Sequence, residues 1–187
     1  PNVMAPVDTE AVETGVAKEI GNYLVTVADG ELEITPKAVT ITAKDASKAY
    51  DAVALTEGEF TNTALAETDT HTFTVTMTAD STITNVGTQP NVIATVDGTA
   101  VTTGAETAVG NYLVTTVDGT LTVNAKKVTI TAKDASKTYD GSALTQPEFT
   151  VSGLAEGDTH EFAVVMTADS TITDVGTQAN VIATVDG

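Results

Sequence analysis

The stretch VTITAKDASKAYDA, Val39–Ala52, returns as VTITAKDASKTYDG, Val128–Gly141. Shifting the chain by 89 residues (39 to 128) aligns it with itself without gaps. Tyr50 then falls on Tyr139, Phe60 on Phe149, His71 on His160 and Met77 on Met166. Upstream, PNVMAPVD at Pro1 answers PNVIATVD at Pro90, and GNYLVTVADGELEI from Gly21 answers GNYLVTTVDGTLTV from Gly110. Roughly three quarters of positions 39–98 are identical to their partners in 128–187, the mark of an array. The unit is longer than solenoid repeats of about 20–50 residues. It is long enough for a domain with its own core, so the pattern predicts tandem domains strung like beads.

Inside the unit the period is two. VTITA puts Val39, Ile41 and Ala43 on one face. FTVTM does the same with Phe73, Val75 and Met77, leaving Thr74 and Thr76 outward. NVIATV, NYLVTTV and GTLTVN read as further strands. VDGT at 117–120 places Asp-Gly between two strand-like runs, the signal of a tight hairpin. No stretch keeps a helical period, and ALAETDTH and GLAEGDTH read as loop. Six or seven short strands per unit predict an all-β chain with little or no helix. The expected form is small antiparallel domains, sandwich-like or, as an alternative, β-grasp-like.

The frame has two solutions. GTLTVNAKKVTIT runs one strand into the next across Asn124–Lys127, and the matching seam in the first copy holds Pro36. Proline there stiffens the junction and cannot donate to a ladder. Cutting at these seams gives 1–37 as the C-terminal part of a preceding repeat and 38–126 as a complete repeat. Residues 127–187 are then a repeat lacking its last hairpin. Cutting after each VDG instead gives 10–98 and 99–187. The first residue is Pro, which reads as a fragment of something longer.

KTYDG at Lys137–Gly141, with FTVSGLAEGD, TDVGTQANVI and the closing NYLVTTVDGTLTV, resembles the MBG/YDG-type repeats of large bacterial cell-surface proteins, often Gram-positive. The likeness covers essentially the whole chain. The first copy departs at Ala52, where the second has Gly141, and glycine is the residue that reaches positive φ at low cost. The resemblance implies non-catalytic stalk or spacer modules of adhesins, at the cell surface or cell wall or secreted.

Composition narrows the classes of function. The net charge is −18, and all eight basic residues are lysine. Nucleic-acid binding needs basic patches, so no nucleic-acid partner is expected. No apolar run approaches the length of about 18 residues that spans a bilayer, and no membrane insertion is expected. The absence of cysteine excludes disulfides, thiolate zinc sites and cysteine nucleophiles. With 4% aromatic residues and no Trp, the cores must be built from Val, Ile, Leu, Ala and a few Phe or Tyr.

Candidate chemistry is sparse. His71 and its repeat His160 sit in DTH, beside Asp69, and no HExxH or nucleophile elbow accompanies them. Asp45, Asp51, Asp80 and Asp97 sit at strand ends, where calcium cages are built. They lack the EF-hand pattern, and aspartate forms turns for its own reasons. A Lys–Asn isopeptide crosslink would draw on Lys44 or Lys133 with Asn91 or Asn180. It needs a buried lysine, and Lys44 alternates onto the outer face. A flat Thr72/Thr74/Thr76 lattice for ice or glycan is broken by Glu161, Ala163 and Val165 in the second copy. The sequence therefore predicts no catalytic, cofactor or metal residue, calcium being the one ion considered. The expected partners are neighbouring repeats, with end-to-end self-association by strand donation. The alternative function is an adhesive module whose loops bind a glycan or host protein.

Overall fold

The computed structural model describes Val3 and residues 11–186. Apart from Val3, the PNVMAPVD stretch lies outside the described residues. The described chain is all-β, without helix. No helix is long and apolar enough to cross a membrane among the described residues.

An N-terminal hairpin pairs β1 (Lys18–Ile20) with β2 (Tyr23–Val25). Then come β3 (Lys37–Ala43), β4 (Ala46–Ala49), β5 (Phe60–Asn62), β6 (Val75–Met77) and β7 (Gly87–Asn91). They are followed by β8 (Ile93–Val96), β9 (Thr99–Ala100), β10 (Glu106–Val109), β11 (Tyr112–Val117) and β12 (Gly119–Asn124). The second copy holds β13 (Thr129–Ala132), β14 (Leu144–Thr145), β15 (Phe149–Ser152), β16 (Val164–Met166), β17 (Thr171–Ile172) and β18 (Ile182–Val185). The 37–124 unit holds ten short strands, more than the six or seven expected, and the second copy holds six. Every ladder from Lys37 to Asn124 stays inside that span, and every ladder from Thr129 to Val185 stays inside its own.

The alternation of VTITA does what its period requires: Val39, Ile41 and Ala43 are buried, while Thr40 and Thr42 are not. β3 lies in a sheet ordered β10-β11-β3-β5, and a second sheet is ordered β6-β8-β9. Val39, Ile41, Val109, Tyr112 and Val114 from the first meet Phe73, Ile93 and Val96 from the second strand region, with Val75 and Met77 packed alongside. This is a sandwich core of mostly aliphatic residues with Phe73 and Tyr112 among them. A third sheet, β4-β12-β7, buries Leu121 and Val123.

Two pairings depart from the antiparallel expectation. β11 runs parallel to β3 from Tyr112↔Lys37 to Val117↔Thr42. β12 runs parallel to β4 from Leu121↔Ala46 to Asn124↔Ala49. The register is the same in both, so 37–49 and 112–124 form one bent parallel ladder. The N–H of Lys37 donates to the Asn111 carbonyl at 3.0 Å at one end, and that of Tyr50 to the Asn124 carbonyl at 2.8 Å at the other.

The Asp118–Gly119 hairpin expectation is corrected here. β11 and β12 do not pair with each other; the dipeptide is a corner where the chain passes from one sheet to the next. Glycine is required by proximity: a Cβ at 119 would lie 2.5 Å from the Lys44 carbonyl oxygen and 2.8 Å from that of Ala43. Asp45 Oδ1 pins the corner by accepting the Thr120 N–H at 2.7 Å. An Asp-Gly two-residue hairpin does form at Asp97-Gly98, between β8 and β9, with φ of 47° and 77°.

Candidate functional site: an open slot in the second repeat

The second copy repeats the first strand for strand, up to a point. β13 pairs with β15, β14 with β17 and β16 with β18, in the registers of β3 with β5, the Leu55–Ile83 bridge and β6 with β8. The register irregularity at Thr76/Met77 recurs at Val165/Met166. Nothing among the described residues stands where β11 and β12 stand in the first copy. Positions 135–138 and 176–180, the counterparts of β4 and β7, are not strands at all. Their counterparts pair with β12 on either side, so without a central strand neither has a partner.

The consequence is a slot of about 600 Å³ between these two segments, lined by Ala135, Ser136, Tyr139, Leu144, Ile172 and Gln178 among others. Core residues lose their cover. Val96 is fully buried, while its counterpart Val185 is 40% exposed. Tyr139 is exposed, whereas Tyr50 is half-buried.

The N-terminal segment shows the reverse. β1 and β2 pair in the register of β10 and β11: Lys18↔Val25 corresponds to Thr107↔Val114. The Gly15 N–H donates to the Val27 carbonyl at 2.9 Å, as Gly104 donates to Thr116 at 3.0 Å. Thr14 donates to Asp29 as Thr103 does to Asp118. Yet, Val27 apart, its large apolar side chains are mostly exposed. Tyr23 is 75% exposed against 3% for Tyr112, Leu32 79% against 0% for Leu121, and Ile34 99% against 1% for Val123.

The aromatic corner behaves alike. His71 and Phe73 meet edge to face at 4.7 Å, and Tyr112 closes the group 5.6 Å from Phe73. The Tyr112 hydroxyl donates to Asp69. That bond holds the Asp69 carboxyl below the usual carboxylate range and the Tyr112 phenol above its own. In the second copy His160 and Phe162 keep their contact at 4.5 Å with no tyrosine beside them.

The other sequence candidates resolve as local structure. The rings of His71 and His160 reach Asp97 and Asp186 through Nε2, at 2.8 and 3.1 Å, rather than the adjacent DTH aspartates. Asp69 and Asp158 instead accept the backbone N–H of those histidines. Asp97 also accepts the Thr74 N–H at 2.7 Å, tying the β8–β9 turn to the strand beside it. Asp51 accepts from Lys48 and from the Val53 N–H, and both lower its pKa. The Asp80 carbonyl accepts from Gln89. No group of three or more metal-ligating side chains occurs among the described residues.

Lys44 points to solvent and pairs with Glu59 at 2.5 Å, which raises its pKa. An isopeptide donor needs burial and a lowered one. Asn91 is buried as a clamp, its amide donating to the Lys44 and Glu57 carbonyls at 3.0 and 3.1 Å; Asn180 repeats this on Lys133 and Gln146. Thr72, Thr74 and Thr76 are exposed, and Thr76 bonds across the sheet to Thr95.

Sequence reasoning missed the 37–49/112–124 ladder, and the only signal for it was the apolar alternation of both segments. No family model, no curated protein and no solved structure matches this chain.

Proposed function

We propose that this chain is a load-bearing structural segment: non-catalytic stalk or spacer repeats of a cell-surface or secreted protein, of the MBG/YDG type. One observation carries the reading. The first and last strands of the 37–124 unit lie side by side and parallel along their whole length. The chain therefore enters at Lys37 and leaves at Asn124, at opposite ends of the same ladder. Units joined this way add length head to tail. Tension on the two ends loads the ladder along its strands, so its hydrogen bonds resist together rather than opening one at a time.

The net charge of −18 keeps neighbouring stalks apart. Of the carboxylates considered for calcium, those of Asp45, Asp51 and Asp97 hold turns and corners, which fits a spacer better than a ligand-binding domain. Stretching single molecules by their ends tests the reading. The 127–186 unit, which lacks the closing ladder, is expected to yield first and at low force. The 37–124 unit is expected to yield last, in one event releasing about 300 Å of chain. Simultaneous yielding, or loss of 37–124 first, contradicts it.

A further inference from the structure

We propose that Asp45 is the positioning residue that lets the two halves of the parallel ladder carry load together. The proposal deepens the load-bearing reading and rests on it. The registered pairs of the ladder stop at Thr42↔Val117 and resume at Ala46↔Leu121. Between them lies the corner, where 43–45 face 118–120 at the same offset of 75 residues (37 to 112, 46 to 121). Sheared from Lys37 and Asn124, two segments joined only by slack backbone would be loaded unevenly, and one would fail before the other shared its load. What crosses the corner therefore decides whether they act as one.

The ladder changes phase at this corner. The Lys37 N–H donates to the Asn111 carbonyl and that of Tyr50 to the Asn124 carbonyl, each 74 residues further on (37 to 111, 50 to 124). Bonds from one strand to one neighbour recur at every second residue, because alternate backbone groups point to opposite sides. Lys37 and Tyr50 are an odd number of positions apart, so the alternation is out of phase on the two sides of the corner. A regular ladder cannot run through such a slip, and a side chain is recruited there. Asp45 Oδ1 accepts the Thr120 N–H at 2.7 Å, from one strand to the other and at the registered position. A carboxylate acceptor makes this bond stronger than a neutral ladder bond.

The neighbouring contacts hold the corner without joining the two strands in this way. The Asn91 amide takes the Lys44 carbonyl from β7, which neighbours β12 but not β3. The Lys44 N–H donates to the Glu59 carbonyl at 3.0 Å, away from the closing strand. Gly119 lies close enough to the Ala43 and Lys44 carbonyls to keep the two bends in contact, and contact alone does not resist sliding along the strands. The Asp45–Thr120 bond does, because it fixes one registered position between the six pairs of β3·β11 and the four of β4·β12. Held there, both segments are strained by the same displacement and neither is loaded alone.

Force spectroscopy on the full chain with Asp45→Ala and Asp45→Asn tests the proposal. Anchored at Lys37 and Asn124, Asp45→Ala is expected to lose roughly four tenths of the unfolding force, because the six pairs of β3·β11 then hold without the four of β4·β12. Asp45→Asn keeps an oxygen that accepts the Thr120 N–H and is expected to retain most of the force. Anchored at Asp51 and Asn124, peeling starts at the Asn124 end before it reaches Asp45, so both variants are expected to match the parent. A variant that is only less stable would weaken in both directions. Hydrogen exchange on the parent gives a second reading without substitution: the Thr120 amide is expected to exchange as slowly as the ladder amides beside it. The proposal is overturned if Asp45→Ala keeps the parent force along 37/124, if it weakens both directions alike, or if the Thr120 amide exchanges as freely as an exposed loop. A parent that yields equally in both directions removes the load-bearing reading and this proposal with it. A parent that keeps the contrast while Asp45→Ala changes nothing removes this proposal alone.

Discussion

Leu121 and Leu32 are repeat-equivalent positions with opposite surroundings, and truncating each to alanine measures what the 37–124 unit gains from its closing strand. Leu121 is fully buried on β12, between β4 and β7. Leucine-to-alanine at such a site removes about 3 kcal/mol or more, since transfer and cavity terms add. Leu32 is mostly in water and loses no cover, so the same change stays within about 0.5 kcal/mol in the dilute chain. For a domain of this size, 3 kcal/mol corresponds to roughly 12–24 °C in Tm. The assay is thermal and urea unfolding followed by far-UV circular dichroism, at concentrations where the chain is monomeric. Two transitions are expected, the less stable from the uncovered 127–186 unit. Leu121→Ala should lower the upper transition alone, and Leu32→Ala should move neither. An unchanged upper transition in Leu121→Ala, or an equal loss from Leu32→Ala, refutes the argument.

Ala52 holds a φ of 64° where its counterpart Gly141 holds 78°. The left-handed region costs a non-glycine residue about 1–2 kcal/mol, part of which glycine returns through unfolded-state entropy, so Ala52→Gly should stabilise the first unit by about 0.5–1 kcal/mol in urea titration. Gly119→Ala should destabilise that unit by about 2 kcal/mol or more, because the new Cβ meets immovable backbone, while Gly30→Ala should leave its melting unchanged. Asp51, Glu59 and Asp69 all have lowered pKa values, the first two chiefly through lysine hydrogen bonds and the last through Tyr112. Their contribution is complete above the ordinary carboxylate range and is lost as pH falls through the lower folded-state values. Melting temperature should therefore drop below about pH 4, and Asp69→Asn should reduce that slope.

Strand content was legible because period two survives in VTITA and FTVTM, whose apolar residues are the ones that line the core. The repeat was legible because the copies align without gaps. The ladder was not, because Lys37 and Tyr112 are distant in sequence and parallel pairing has no local turn to announce it. Asp-Gly misled for a related reason. At 97–98 it makes a hairpin, while at 118–119 it makes a corner, and the difference lies in the Ala43 and Lys44 carbonyls pressed against Gly119. The His71–Asp97 pair was missed in favour of the neighbouring Asp69, although His160–Asp186 preserves the same separation.

The central claim is that the parallel ladder bears load along its strands, and changing the direction of pull tests it most directly. Anchors at Lys37 and Asn124 shear the six registered pairs of β3·β11 and the four of β4·β12 together. Anchors at Asp51 and Asn124 sit at one end of the same ladder, where Asn124 faces Ala49, and peel it pair by pair. The account predicts that the 37/124 geometry unfolds at a clearly higher force than the 51/124 geometry at equal loading rate. Equal forces in the two directions, or a higher force for peeling, would contradict it.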